Sequence, residues 1–332
     1  MGIVGLGKMG VLHAGIVNAL PDCRVVAFCE KEAILRRLVK KLLPNLSCYS
    51  GVGEMLTKEE VLDAVYVATP ASTHLAIVKE LVASTRIQGM FVEKPLAGNA
   101  EDALKIVELT SGGRLKGMMG FQKRFSPLFR KGKMVIDSEI LGNLTAFSAY
   151  SYVSGVFSRG QGWRLRPGSG GALLDLGPHL IDMLIWYFGE VSCAQGNLGS
   201  IYSTEVDDLA RGSLKFECGL AGSFDISWSK DGYRLPEMGI EVHGSNGRLI
   251  VTDDCVKLRL LSKVSDFEAG EYLFMKPELD TGVKFQLGDP EYCMEDEYFM
   301  DCLRGNGSPE PDFESGLKVN RVIERISGDA PR

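Results

Sequence analysis

The chain has 332 residues, of which 45% are hydrophobic and 24% charged, with 39 Gly and 13 Pro. That balance excludes a disordered or fibrous protein and predicts two domains. Lys plus Arg total 37 against 43 Asp plus Glu, a formal charge of -6, so no general positive field favours phosphate backbones or anionic lipid, and nucleic acid is not expected as a partner.

In chain order, the first third alternates short apolar runs with helical patterns, the rhythm of a parallel sheet with crossover helices. Residues 3–4, Val25 to Cys29, Ala64 to Ala68, Met90 to Glu93 and Lys116 to Phe121 read as strands. Gly5-Leu6-Gly7-Lys8-Met9-Gly10 follows the first strand and opens a helical run, Val11 to Leu20. Glycines at these sites permit a tight turn and a close backbone approach to a pyrophosphate, with free amides of the helix start facing the anion. Ordinary turn punctuation is the plain alternative, but Glu30 ends the second strand twenty residues after Gly10, where a carboxylate accepts hydrogen bonds from an adenosine ribose diol. Glu30 favours NAD over NADP by repelling a 2'-phosphate. Lys31 and Arg36 leave NADP open, since either cation neutralises such a phosphate if turned inward. Ile34, Leu35, Leu38, Val39, Leu42 and Leu43 form one apolar helical face, with Arg36, Arg37, Lys40 and Lys41 opposite as a solvated exterior.

Ala68-Thr69-Pro70 and Glu93-Lys94-Pro95 each end a predicted parallel strand, at the sheet edge where ligands of such folds bind. Lys94 there is either a solvated strand-end lysine or a donor to a substrate oxygen that gains charge; a cis peptide before Pro95 would fix its direction. Asn99 with Glu101 and Asp102 starts a helix running to about Leu109. After about residue 122 the texture changes to antiparallel strands, Leu144 to Val153, Leu209 to Phe216, Leu220 to Trp228, Gly239 to His243 and Arg248 to Thr252, with a turn at Gly244-Ser245-Asn246-Gly247. A helical stretch covers Leu173 to Phe188, and Pro178 suggests that it begins near Asp175. Asp175 and His179 then share one helical face, either as a carboxylate orienting a general base or as a capping acid and a core histidine. Final helices are predicted at Glu291 to Leu303 and Phe313 to Ile326.

The stretch Leu173 to Phe188 is interrupted by Asp175, His179 and Asp182, so no membrane span is expected. Met1-Gly2-Ile3-Val4-Gly5 carries no export signal, and a cytoplasmic location is expected. Eight cysteines without a Cys-x-x-Cys pair, and four histidines of which none stands at ligand spacing to a cysteine, predict buried free thiols and no metal site.

Gly5 to Gly10, Ala68-Thr69-Pro70 followed by His74, Glu93-Lys94-Pro95, Gly120-Phe121-Gln122-Lys123-Arg124-Phe125 and Asp175-Leu176-Gly177-Pro178-His179 together resemble, in order and spacing, the glucose-fructose oxidoreductase / inositol dehydrogenase / MocA family. The resemblance extends to Gly307-Ser308-Pro309-Glu310-Pro311-Asp312 before the last helix. It implies an α/β protein: a Rossmann doubly wound parallel sheet over residues 1–121, then an α+β domain over 122–332 with a large, mostly antiparallel, open-faced sheet. It also implies an NAD(P)-dependent oxidoreductase acting on a secondary hydroxyl of a sugar, cyclitol, other polyol or nucleotide sugar, assembled as a homodimer or homotetramer through that open face. By the same resemblance Lys94, Asp175 and His179 are catalytic. Gly5, Gly7, Lys8, Met9, Gly10, Glu30, Lys31, Ala68, Thr69, Pro70, His74, Glu93, Lys94 and Gln122 are expected along the cofactor. Gln122, Lys123, Trp163 and Arg164 are expected near substrate with the catalytic three; core packing is the alternative for Trp163. A transhydrogenase or redox-assisted glycosidase that retains its nicotinamide, and a dinucleotide-binding sensor without turnover, are the rival readings. Met1 sits almost on the first strand, so that strand is expected to be short or the true start to lie upstream.

Overall fold

Alternating strands and helices build the first part of the chain: β1 (Gly2–Val4), α1 (Lys8–Ala19), β2 (Ala27–Cys29), α2 (Ala33–Leu42), β3 (Ser47–Tyr49), α3 (Val52–Lys58), β4 (Ala64–Val67), α4 (His74–Val82), β5 (Gly89–Glu93), α5 (Ala100–Thr110) and β6 (Lys116–Gly120). The computed structural model describes residues 1–112, 115–155, 170–279, 282–283, 285 and 287–328. They form two compact units, Met1–Gln122 with Val283–Asn320, and Lys123–Gly282 with Arg321–Arg332.

Among the described residues of the first unit, six strands form a fully parallel sheet in the order β3-β2-β1-β4-β5-β6. β1, β4 and β5 are buried along their whole length, as strands covered on both faces must be. The sequence reading passes over β3, α3 and α4; β3 and α3 are too short to show a period. α2 departs from its amphipathic expectation: Ile34, Leu38, Leu42 and Leu43 are exposed and no residue of the helix is fully buried. The β3 it packs on is a three-residue edge strand with little surface to offer.

The segment that the sequence reading keeps within 122–332 is divided. Residues 283–320 belong to the first unit, where α8 (Pro290–Leu303) packs on α1 and β6. The last helix, α9 (Phe313–Ser327), starts in the same unit, with the Phe313 ring filling the space that Gly117 leaves on β6.

In the second unit, α6 (Pro127–Asp137) and α7 (Ala172–Phe188) lie on one face of a sheet ordered β14-β13-β12-β11-β7-β10-β9-β8. Its strands are β7 (Leu144–Tyr152), β8 (Val191–Gly199), β9 (Leu209–Phe216), β10 (Ala221–Ser227), β11 (Glu237–Gly244), β12 (Gly247–Thr252), β13 (Cys255–Leu260) and β14 (Gly270–Met275). All neighbours pair antiparallel except β7 with β10. Alternation sets the two faces: Phe147, Ala149 and Ser151 of β7 are buried, whereas Tyr150 and Tyr152 are only partly covered. α7 begins at Ala172, three residues before the expected start, and keeps Pro178 inside.

Among the described residues no helix is long and apolar enough to cross a membrane. All eight cysteines are free thiols, but only Cys29, Cys293 and Cys302 are buried, so burial is not their common reason for staying unpaired.

Candidate functional site

In a parallel sheet every strand ends at the same edge, and the first unit gathers its motif residues there. Gly5 turns with φ +95 and donates its N–H to Cys29 O at 2.8 Å. A Cβ at Gly5 would lie 2.6 Å from Ala68 O, and one at Gly10 would lie 1.9 Å from Gly5 O. α1 therefore approaches the turn as closely as backbone allows. A Cβ at Gly7 would meet nothing within 4 Å. Gly7 also starts α1 without a side-chain cap, which leaves open space beside the helix start of the kind a dinucleotide pyrophosphate occupies. Lys8 is exposed and Met9 half-buried on that first turn.

Glu30 holds the end of β2. Its Oε2 accepts the N–H of Leu6 and its Oε1 that of Glu32, each at 2.8 Å. Arg36 donates to the carbonyls of Glu30 and Lys31 at 2.7 and 2.6 Å, so its guanidinium is anchored at the same strand end, while Lys31 is exposed. Ala68 and Thr69 are half-buried and Pro70 exposed at the end of β4. His74, expected along the cofactor, is fully buried; its Nε2 lies 2.9 Å from Thr69 O and its Nδ1 3.1 Å from Leu96 O. Burial pulls its pKa below the ordinary value against those two carbonyls. The ring ties the end of β4 to the segment after β5.

Lys94 follows β5 and is half-buried, and the Lys94–Pro95 peptide is cis. The Glu93 carboxylate, also expected toward the cofactor, turns to His13, with Oε1 3.0 Å from Nε2, and accepts the Lys94 N–H at 3.1 Å through Oε2. Gln122 is buried and donates to the Tyr292 hydroxyl at 3.3 Å. α8 thus reaches α1, through Asp296 at His13, and the motif segment after β6, through Tyr292 at Gln122. No local pattern in the sequence marks either residue.

In the second unit, Asp175 is buried and His179 half-buried, four residues apart on α7. The helix start is held from the segment that leads into β9: Ala172 N–H donates to Asp207 O at 2.9 Å and Leu173 N–H to Asp207 Oδ2 at 2.8 Å. Gly171, at φ +112, makes this possible, because a Cβ there would lie 2.1 Å from Asp207 Oδ1. That anchor explains why α7 begins before Asp175. The Lys123 ammonium, expected near substrate, pairs with Asp253, whose other oxygen accepts the Met238 N–H at 2.8 Å. Arg124 grips the buried Asp182 with two bonds of 2.9 and 2.7 Å. Trp163 and Arg164 lie outside the described residues.

Two family models match the chain. One, described as an oxidoreductase family with an NAD-binding Rossmann fold, covers residues 1–121, and the other, described as the GFO/IDH/MocA C-terminal domain, covers residues 129–250. The myo-inositol 2-dehydrogenase of Thermotoga maritima is 28% identical over 345 residues, 97% of this chain and 99% of that protein. The rhizopine catabolism protein MocA of Rhizobium meliloti is 28% identical over 192 residues, 57% of each chain, so the match spans less than two thirds of that relative's length. A solved levoglucosan dehydrogenase, in complex with NADH and levoglucosan, shares the fold with a TM-score of 0.85 at 21% identity, over 99% of this chain and 96% of that one. With a matched model in each unit and a glycine turn, strand-end acid and parallel sheet that fit NAD, the chain belongs to the GFO/IDH/MocA oxidoreductase family.

Proposed function

We propose that the protein is an NAD-dependent dehydrogenase acting on a secondary hydroxyl of a sugar or polyol. The observation that carries this reading is the position of Lys94: half-buried, at the carboxyl end of β5, on the sheet edge that also holds the Gly5 to Gly10 turn and Glu30. NAD, when bound, supplies the hydride acceptor. Gly5, Gly7 and Gly10 with the first amides of α1 would hold its pyrophosphate, and Glu30, at the end of β2, would serve its adenosine ribose.

The side chains divide the remaining work. His179 takes the hydroxyl proton on its imidazole as hydride leaves the carbon; Lys94 Nζ donates to the oxygen while charge develops there; Asp175 orients the imidazole. Inositol as the substrate of the Thermotoga maritima relative and levoglucosan as the ligand in the solved neighbour both support a polyhydroxylated ring. The same reading makes the protein a homodimer or homotetramer through the sheet face opposite α6 and α7.

The test is a screen of polyols, aldoses and anhydrosugars for NADH accumulation, repeated on Lys94→Ala and His179→Ala. Both variants should lose activity by about a hundredfold or more with NADH affinity nearly kept. Equal loss of NADH binding in both variants would contradict the assigned roles. Turnover of a glycoside without net NADH release would favour the redox-assisted reading instead.

A further inference from the structure

Behind β5 the first unit contains a buried line of ionisable groups that the proposed chemistry does not use. The His13 ring is fully buried; its Nδ1 lies 2.9 and 3.0 Å from the two oxygens of Asp296, and its Nε2 lies 3.0 Å from Glu93 Oε1. Both nitrogens face carboxylates, and only a doubly protonated imidazole donates at both. The line continues through Glu93 Oε2 to the Lys94 N–H. Gly120, on the neighbouring strand, leaves room for that carboxylate: a Cβ there would lie 3.1 Å from Glu93 Oε2. Phe91 and Tyr66 close over the imidazole, with ring centroids 4.9 and 5.2 Å away.

We propose that His13 is a positioning residue for Lys94: braced by Asp296, its ring holds the Glu93 carboxylate against the Lys94 amide and so fixes the main chain from which the lysine projects. The proposal rests on the reading of Lys94 given above. It gives the buried acid on α8 a purpose, and it joins the helix that starts at the glycine turn to the strand end that carries the lysine.

The titratable groups facing the ring are Glu93 on β5, Tyr66 on β4, and Asp296 and Glu295 on α8. Burial pulls the His13 pKa down, but Asp296 and then Glu93 outweigh it and hold it well above the ordinary value. Burial pushes Glu295 well up, which favours its neutral form. Asp296→Asn keeps the size of the brace and removes its charge. The imidazole should then give up its proton at a lower pH than in the wild type.

The test compares wild type, Asp296→Asn and His13→Gln, all as the full chain. Three quantities are read: acetylation of Lys94 by acetic anhydride relative to the exposed Lys79 of α4, NADH binding by fluorescence, and the pH dependence of kcat on the substrate found in the screen. In both variants the Lys94 to Lys79 ratio should change by about threefold or more, and kcat should fall by about tenfold or more while NADH affinity stays within about threefold. In Asp296→Asn the alkaline loss of kcat should also move to lower pH. A folded Asp296→Asn with the wild-type labelling ratio and pH profile overturns the proposal. So does a fall in kcat matched by an equal loss of NADH binding with no shift of the alkaline limb, which is the signature of a structural role. If His13→Gln does not fold, the isosteric Asp296→Asn decides. If the wild type reduces NAD with nothing in the screen, the proposed function fails, and the labelling ratio alone then decides whether the brace exists.

Discussion

The Asp207 carboxylate accepts the N–H of Leu173 at 2.8 Å, and its carbonyl accepts that of Ala172 at 2.9 Å. Both bonds satisfy orphan donors at the start of α7, whose interior is weakened by Pro178. Asp207→Ala should cost about 1 kcal/mol, lowering Tm by roughly 2–4 °C. Asp207→Asn keeps an acceptor oxygen and should lose less. Calorimetry that finds Asp207→Ala as stable as the wild type would remove the cap from the account.

Gly7 and Gly10 stand three residues apart in one turn and should respond differently to the same methyl group. Gly7→Ala meets open space, so Tm should hold while NADH binding weakens by about tenfold or more. Gly10→Ala meets Gly5 O at 1.9 Å, and this overpacking should cost about 3 kcal/mol. Thermal melts and fluorescence titrations of the two variants check the contrast; equal melting temperatures would refute it.

The buried His74 titrates below its ordinary value because burial disfavours the imidazolium. The unfolded ring takes up a proton as pH falls through about 6.5, whereas the folded ring resists it, so stability from this group is present above that pH and is lost as pH falls toward the folded value. His74→Gln offers two N–H donors to the same carbonyls and does not titrate. Urea unfolding should therefore show the variant gaining on the wild type from neutral to mildly acid pH. A difference that stays constant over that range would show that burial does not lower the folded pKa of this ring.

Asp182 is almost wholly buried and holds Arg124 by two bonds, with the guanidinium 5.9 Å over the Trp186 ring. Asp182→Ala leaves that guanidinium with a lost partner in a largely dry site and should cost about 3 kcal/mol. Replacing both residues by apolar ones of similar volume should recover much of the loss. Denaturant melts of the single and double variants measure it, and an equal loss in both would show that packing, not charge, sets the cost.

The sequence made the parallel sheet, the glycine turn, the place of Glu30 at the end of β2 and the four-residue spacing of Asp175 and His179 on one helix legible, because each depends on spacing within one turn, one strand or one helix. It misjudged the start of α7 because the anchor, Asp207, lies 34 residues beyond Leu173. It held no hint that Lys123 would meet Asp253, or that Glu93 and His74 would turn to His13 and to main-chain carbonyls.

What the sequence determined by itself is therefore the local chemistry: which residue types stand at strand ends and helix starts, in what order, and with which short-range geometry. Only the tertiary structure decided which of them are braced and by what. His13 and Asp296 are 283 residues apart, and no periodicity reports a contact made across that distance. Such pairs form because a buried ionisable group is too costly to leave without a partner, and the fold alone determines which partner is within reach.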